Sequence, residues 1–194
     1  MITPPERTPD QDHLFAIASS QEGLFTTTQA AEAGYSLQLL AHHLRAGNMV
    51  RARRGIYRLV RFPGGEHEDM VAVWLWSEQQ GVLSHLSALA RHGLSDALPA
   101  VLHLTLPQAW ELRRLRVPPG VVLHHRDLIP EDRTWFGPVP ITSVARTLAD
   151  CAEAGVSPEL LRQACRQALG RGLVGQDDLT GLTAALEPFG GLST

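Results

Sequence analysis

Residues 45–61 carry six arginines (Arg45, Arg51, Arg53, Arg54, Arg58 and Arg61) and no acid. Met49-Val50-Arg51-Ala52-Arg53 alternates small or apolar residues with arginine, Arg54-Gly55 is a turn signal, and Ile56-Tyr57-Arg58-Leu59-Val60 resumes as a strand. A period of two broken by a glycine turn predicts a β-hairpin with arginines at its tip and outer face. Arginines that only keep a sheet edge soluble give the same pattern, so the flanking segments matter.

Upstream, residues 12–20 read as a short helix with Leu14, Phe15, Ile17 and Ala18 apolar, broken at Gly23, after which Leu24 and Phe25 enter the core. Thr26 and Gln29 have capping-box spacing ahead of a short helix over residues 28–33 that Gly34 ends. Ser36 caps the next helix, which runs to about Ala46. Its apolar stripe is read as Leu37, Leu40, Ala41 and Leu44, at i, i+3, i+4 and i+7. Leu39, His42 and His43, flanked by Gln38 and Arg45, then face the other way. Two short helices with a glycine turn suit a helix-turn-helix or an ordinary helical hairpin; the basic hairpin that follows favours a winged helix-turn-helix over residues 1–62.

Phe62-Pro63-Gly64-Gly65 reads as a linker, so a fragment of residues 1–64 is expected to fold alone and a second domain to occupy residues 66–194. There, residues 67–80 and 84–92 read as helices, 101–106, 121–125 and 139–142 as strands, and 143–154, 158–169 and 177–186 as helices. The fold class is α+β: an N-terminal winged helix-turn-helix followed by a mixed α+β domain. Trp74 and Trp76, two apart on a helix, face different ways: one is read as core, the other as packing on the winged domain.

The net charge is −3, yet its distribution is uneven. All seventeen basic residues are arginine. The missing lysine excludes a Walker-type phosphate loop and Schiff-base chemistry. The polar, Pro-rich residues 1–12 lack signal-peptide order, and no apolar run reaches membrane-spanning length; the protein is read as cytoplasmic with no membrane partner. Cys151 and Cys165 read as buried thiols in a reducing compartment.

The order of segments resembles the AbiEi family of antitoxins of type IV toxin–antitoxin systems. It runs from Gly23-Leu24-Phe25-Thr26-Thr27-Thr28-Gln29-Ala30 through Leu44-Arg45 to Arg54-Gly55-Ile56-Tyr57-Arg58-Leu59. It continues in Leu83-Ser84-His85-Leu86-Ser87-Ala88-Leu89 and His92-Gly93-Leu94. Further on it runs through His103-Leu104-Thr105-Leu106-Pro107 and His124-His125-Arg126, and ends in Ile141-Thr142-Ser143-Val144-Ala145-Arg146-Thr147-Leu148-Ala149-Asp150. The resemblance implies a winged-helix repressor of its own promoter, bound at repeated sites. It also implies a second domain that counteracts a nucleotidyltransferase-like toxin without a tight complex.

The expected DNA-binding residues are Thr28, Ser36, Gln38, Leu39, His42, His43, Arg45, Arg51, Arg53, Arg54 and Arg58, with the helix from Ser36 in the major groove and the arginines on phosphates. Arg113, Arg114, Arg116, Arg126 and Arg146 are a candidate second basic surface, although Arg146 and Asp150, four apart, also suit a helix ion pair. His85, beside Leu86 and Leu89, is read as making a structural hydrogen bond. His124 and His125 point to opposite faces of a strand and cannot easily share one ion. No catalytic residue, metal or cofactor is expected. The rival readings are an orphan regulator, an interaction module without DNA binding, and a nucleic-acid-processing enzyme, the last unsupported by any cluster of carboxylates.

Overall fold

The computed structural model describes residues 8–189 and 191, and the chain divides into two units, Met1–Gln79 and Gln80–Thr194. Most of the polar N-terminal stretch (residues 1–7) and residues 190 and 192–194 of the expected second domain lie outside the described residues.

In the first unit α1 (Gln11–Ser19) starts where the Asp10 carboxylate accepts from His13 N–H. Strand β1 (Leu24–Thr26) leads into α2 (Thr27–Glu32), whose capping box forms as spaced: Thr26 Oγ1 accepts from Gln29 N–H at 3.1 Å and Gln29 Oε1 accepts from Thr26 N–H at 2.9 Å. Ser36 Oγ accepts from Leu39 N–H at 3.2 Å and starts α3 (Leu37–Arg45). The predicted hairpin is β2 (Met49–Arg53) and β3 (Ile56–Leu59). All pairings are antiparallel in a sheet of order β1-β3-β2. Leu24 and Phe25 do reach the core, but as an edge strand on β3, which their three-residue length hid from pattern reading.

The core of this unit gathers Leu14, Ala18, Phe25, Ala30, Tyr35, Leu40, Met49 and Tyr57. Leu39 and Leu44 pack against it, whereas Leu37 is 68% exposed and Ala41 is exposed. The inward-facing stripe of α3 is therefore buried Leu40 with half-buried Leu39, His43 and Leu44, rotated from the expected Leu37–Leu40–Ala41–Leu44 set. Leucines at 37, 39, 40 and 44 fit both phases, and the position of the core decides between them.

The helix α4 (Glu68–Trp76) belongs to the first unit, so the division falls after Gln79 and not in the 62–66 linker. It packs on β1 and β3, and six consecutive residues from Met70 to Leu75 are buried. Trp74 is among them; Trp76 is half-buried and shares a cleft of about 560 Å³ with Thr27, Thr28, Arg54 and Gly55.

The second unit is a mixed sheet with helices: β4 (Val82–Leu83), α5 (His85–His92), β5 (Leu102–Leu106), β6 (Val121–His125), β7 (Arg133–Phe136), β8 (Val139–Thr142), α6 (Val144–Glu153), α7 (Pro158–Gly170) and α8 (Thr180–Leu186). The strand order is β6-β5-β4-β8-β7, parallel at β5/β6 and β4/β8 and antiparallel at β4/β5 and β7/β8. Strands β4 and β7 had no counterpart in the sequence reading; one has two residues, and the other places Trp135 67% exposed at the sheet edge. Leu89, Leu94, Leu148, Leu161, Ala164 and Leu179 form the helical core with Cys151 and Cys165. Burial pushes the two thiols up to about 12 and about 11, so both are inert thiols at neutral pH. The chain is a mixed α+β protein, and no described helix is long and apolar enough to cross a membrane.

Candidate nucleic-acid interface

The hairpin tip is fastened to α2. Gly55 sits at φ +77°, a left-handed turn conformation suited to glycine, and its carbonyl accepts from Thr27 N–H at 2.9 Å and from Thr27 Oγ1 at 3.2 Å. Arg54, at the tip, is exposed, as is Arg51 on β2, whose guanidinium lies 5.9 Å from the Tyr57 ring centroid. Register places Arg51 opposite Tyr57 and Arg58 opposite Val50, so these two arginines leave opposite faces of the hairpin.

Two of the expected phosphate contacts are already paired. Arg53 Nη2 lies 3.1 Å from Asp69 Oδ1 and Arg58 Nε 3.3 Å from Glu68 Oε1, both acids being in the first turn of α4. Arg58 also donates to the Phe62 carbonyl. The cationic set that remains solvent-facing is Arg45, Arg51, Arg54 and Arg61. Arg61 belongs to the basic segment but is not among the expected DNA-binding residues.

On α3 the exposed face is Leu37, Gln38, Ala41, His42 and Arg45, with Ser36 at its start. Thr28 is exposed on α2. Leu39 and His43 turn inward: Leu39 packs on the core, and His43 lies 5.7 Å from the Tyr35 ring and 3.4 Å from Asn48 Nδ2.

The five arginines of the second expected surface do not act alike. Arg113, Arg114 and Arg116 lie exposed between β5 and β6, Arg113 stacking over Trp110 at 3.9 Å. Arg126 and Arg146 instead join a carboxylate network. Arg146 Nε lies 2.9 Å from Asp150 Oδ1 and Arg146 Nη2 2.9 Å from Glu153 Oε1, while Arg126 pairs with both acids. The helix ion pair is therefore present.

Beside that network the second unit assembles a cluster absent from the sequence reading. His85, His103 and His124 bring ligand-capable nitrogens within 4.8 Å of one another. In the parallel register His103 and Thr105 share a face of β5, and His124 lies opposite Thr105. His125 points to the other face, as its neighbouring position requires. His85 does make the structural hydrogen bond expected of it, Nδ1 lying 2.9 Å from Ser84 Oγ. Only the strand register brings His103 into the cluster.

Burial, then the neighbouring histidines and Arg146 and Arg126, pull His85 down from 6.5 to about 3; burial with His103 and His125 brings His124 to about 4. The unfolded chain takes up these protons below about 6.5, whereas in the folded protein His124 does so only near pH 4 and His85 only near pH 3. Stability should therefore be full above pH 6.5. It should fall between 6.5 and 4 by at most about 1.4 kcal/mol per pH unit for each histidine, less for the partly exposed His124. Urea unfolding in chelator at pH 7 and pH 5 checks this: His124→Gln should reduce the pH dependence, and an unchanged dependence would contradict the assigned shift.

Residues 12–60, which span α1 to β3, match the family model described as "Transcriptional regulator, AbiEi antitoxin". The resemblance read from the sequence is thus present over that segment. No curated protein matches the chain. Among solved structures, the chain is similar to the RV2827C protein from Mycobacterium tuberculosis. Identity is 15% and the TM-score 0.38, with 98% of this chain and 82% of that chain covered.

Proposed function

We propose that this chain is a DNA-binding transcriptional regulator of the AbiEi antitoxin type, whose first unit is a winged helix-turn-helix. The observation that carries the reading is the exposed face of α3 beside a basic hairpin tied to α2. The order α1-β1-α2-α3-β2-β3, with β1 on the edge of the hairpin, suits a wing flanking a recognition helix. Gln38 and His42 have the hydrogen-bonding groups to read base edges. Leu37, in the place expected of Leu39, offers an apolar contact to a thymine methyl. Arg45, Arg51 and Arg54 meet phosphates. The chain acts by binding rather than turnover, and the family match over residues 12–60 supports repression of its own promoter and an antitoxin role toward a nucleotidyltransferase-like toxin.

A competition titration at fixed salt, of the upstream promoter against a scrambled duplex, tests this. Wild type should prefer the promoter, and Gln38→Ala and His42→Ala should each lose about 1–3 kcal/mol of discrimination while keeping most scrambled-duplex affinity. Equal wild-type affinity for both duplexes would remove the sequence-specific reading and leave an interaction module or a non-specific binder.

A further inference from the structure

We propose that His85, His103 and His124 form a site for one divalent transition-metal ion of the zinc class, held by three imidazole nitrogens with a further position left to solvent. The site lies in the second unit and does not depend on the DNA-binding reading.

Three histidines arrive from three elements, the start of α5 and the strands β5 and β6, and offer nitrogens within 4.8 Å of one another. His103 Nδ1 and His124 Nε2 are 3.0 Å apart, close to the separation of two nitrogens that share a tetrahedral ion with bonds of about 2.0–2.1 Å. An all-imidazole donor set suits zinc, copper, nickel or cobalt and not the hard, oxygen-seeking calcium or magnesium. Three protein ligands leave an open coordination position.

The surroundings of His85 resemble the outer support of a metal ligand. Ser84 occupies the N-cap of α5, yet its hydroxyl makes no cap bond. That hydroxyl instead meets His85 Nδ1 at 2.9 Å and accepts from Thr105 Oγ1 at 2.7 Å. In the tautomer whose Nδ1–H donates to Ser84 Oγ, the Nε2 lone pair of His85 is the one left for a ligand bond, the arrangement in which an outer partner fixes the tautomer of a metal-bound histidine. His85 itself holds φ +50°, a left-handed conformation uncommon outside glycine and costly enough to need support from its surroundings. A capping serine without its cap and a strained backbone therefore both serve the placement of one ring.

Charge does not bar a cation. Arg126 and Arg146 stand near His85, but Asp150 and Glu153 offset both within the ion-pair network. The rings of His85 and His124 stack at 3.5 Å and 15°, so ligation turns them about χ2 until their lone pairs converge, replacing the stack and the His103–His124 hydrogen bond.

The test is a titration of the metal-stripped full chain with zinc by calorimetry and with cobalt by visible absorbance, together with thermal unfolding. One zinc per chain, a tetrahedral-type cobalt spectrum and a zinc-dependent rise in Tm are expected. His103→Gln and His124→Gln should weaken zinc by at least the roughly 10–100-fold that loss of an outer partner costs, and His13→Gln, at an exposed position of α1, should leave it unchanged. Comparable wild-type and variant Tm values in chelator at neutral pH establish that the variants fold. The cobalt spectrum of the wild type stands independently of any variant. Absence of a cobalt band, or zinc binding equal in wild type and both strand variants, overturns the proposal.

Discussion

A fragment of residues 1–64 should be less stable than one of residues 1–79 by on the order of 3–6 kcal/mol, the cost of exposing two fully buried apolar side chains at about 1.5–3 kcal/mol each. The shorter fragment contains every strand of the first sheet and the whole of α3, and its sequence looks complete. It lacks α4, which packs on β1 and β3 and buries Val71, Val73 and Leu75 to 2% exposure or less. Leu24 and Ile56 on those strands are equally buried. Removing the helix also breaks Arg53–Asp69, Arg58–Glu68 and the 2.9 Å hydrogen bond from Gln79 Nε2 to Gln21 Oε1. Small domains are stable by only about 5–15 kcal/mol, so a loss of this size brings the shorter fragment close to unfolding. Urea titrations of the two fragments, followed by circular dichroism, measure the difference. Coincident midpoints and slopes would show that α4 adds nothing to the first unit and restore the boundary at the 62–66 linker.

The second large effect concerns charge. Arg51→Ala with Arg54→Ala should lower affinity for any duplex by about 50–100-fold near 0.1 M salt and reduce the salt slope by about 1.8, because each lost phosphate contact removes about 0.9 of a released counterion. Arg53→Ala with Arg58→Ala removes the same formal charge but should cost less, since Asp69 and Glu68 already offset those guanidiniums. The contrast between the pairs is the informative measurement. An unchanged slope for Arg51 and Arg54 would move the phosphate contacts off the hairpin; equal losses for the two pairs would mean that the α4 acids do not withdraw their partners.

What the sequence disclosed, and what it withheld, divides by the range of the interactions. The caps at Thr26 and Ser36 and the hairpin around Gly55 depend on residues within a few positions, and they form where the pattern placed them. The phase of α3 depends on Phe25, Tyr57 and Leu14, which lie far away in the chain, and a periodicity with leucines at 37, 39, 40 and 44 could not select it. The pairing of Arg53 and Arg58 with α4 is long-range in the same sense, and so the expected set of eleven DNA contacts divides into exposed, paired and inward-facing members. The histidine cluster needs the register of two parallel strands and the left turn at His85 before its parts meet. His124 and His125 drew notice because they are adjacent, yet adjacency is what separates them, and the true neighbours are distant in sequence.

The Thr27–Gly55 contact has a consequence for the proposed binding of DNA. The hairpin tip is bonded to α2 by both the amide and the hydroxyl of one threonine, and β1 pairs with β3 just beyond, so hairpin and α2 are held in one fixed arrangement. If the chain binds DNA as proposed, it cannot adjust the distance between the groove that α3 enters and the strand that the arginines contact. The duplex must supply that adjustment, and a site whose steps bend or narrow at low cost will be preferred even where no side chain touches a base. Part of the operator would then be written in the stiffness of the DNA.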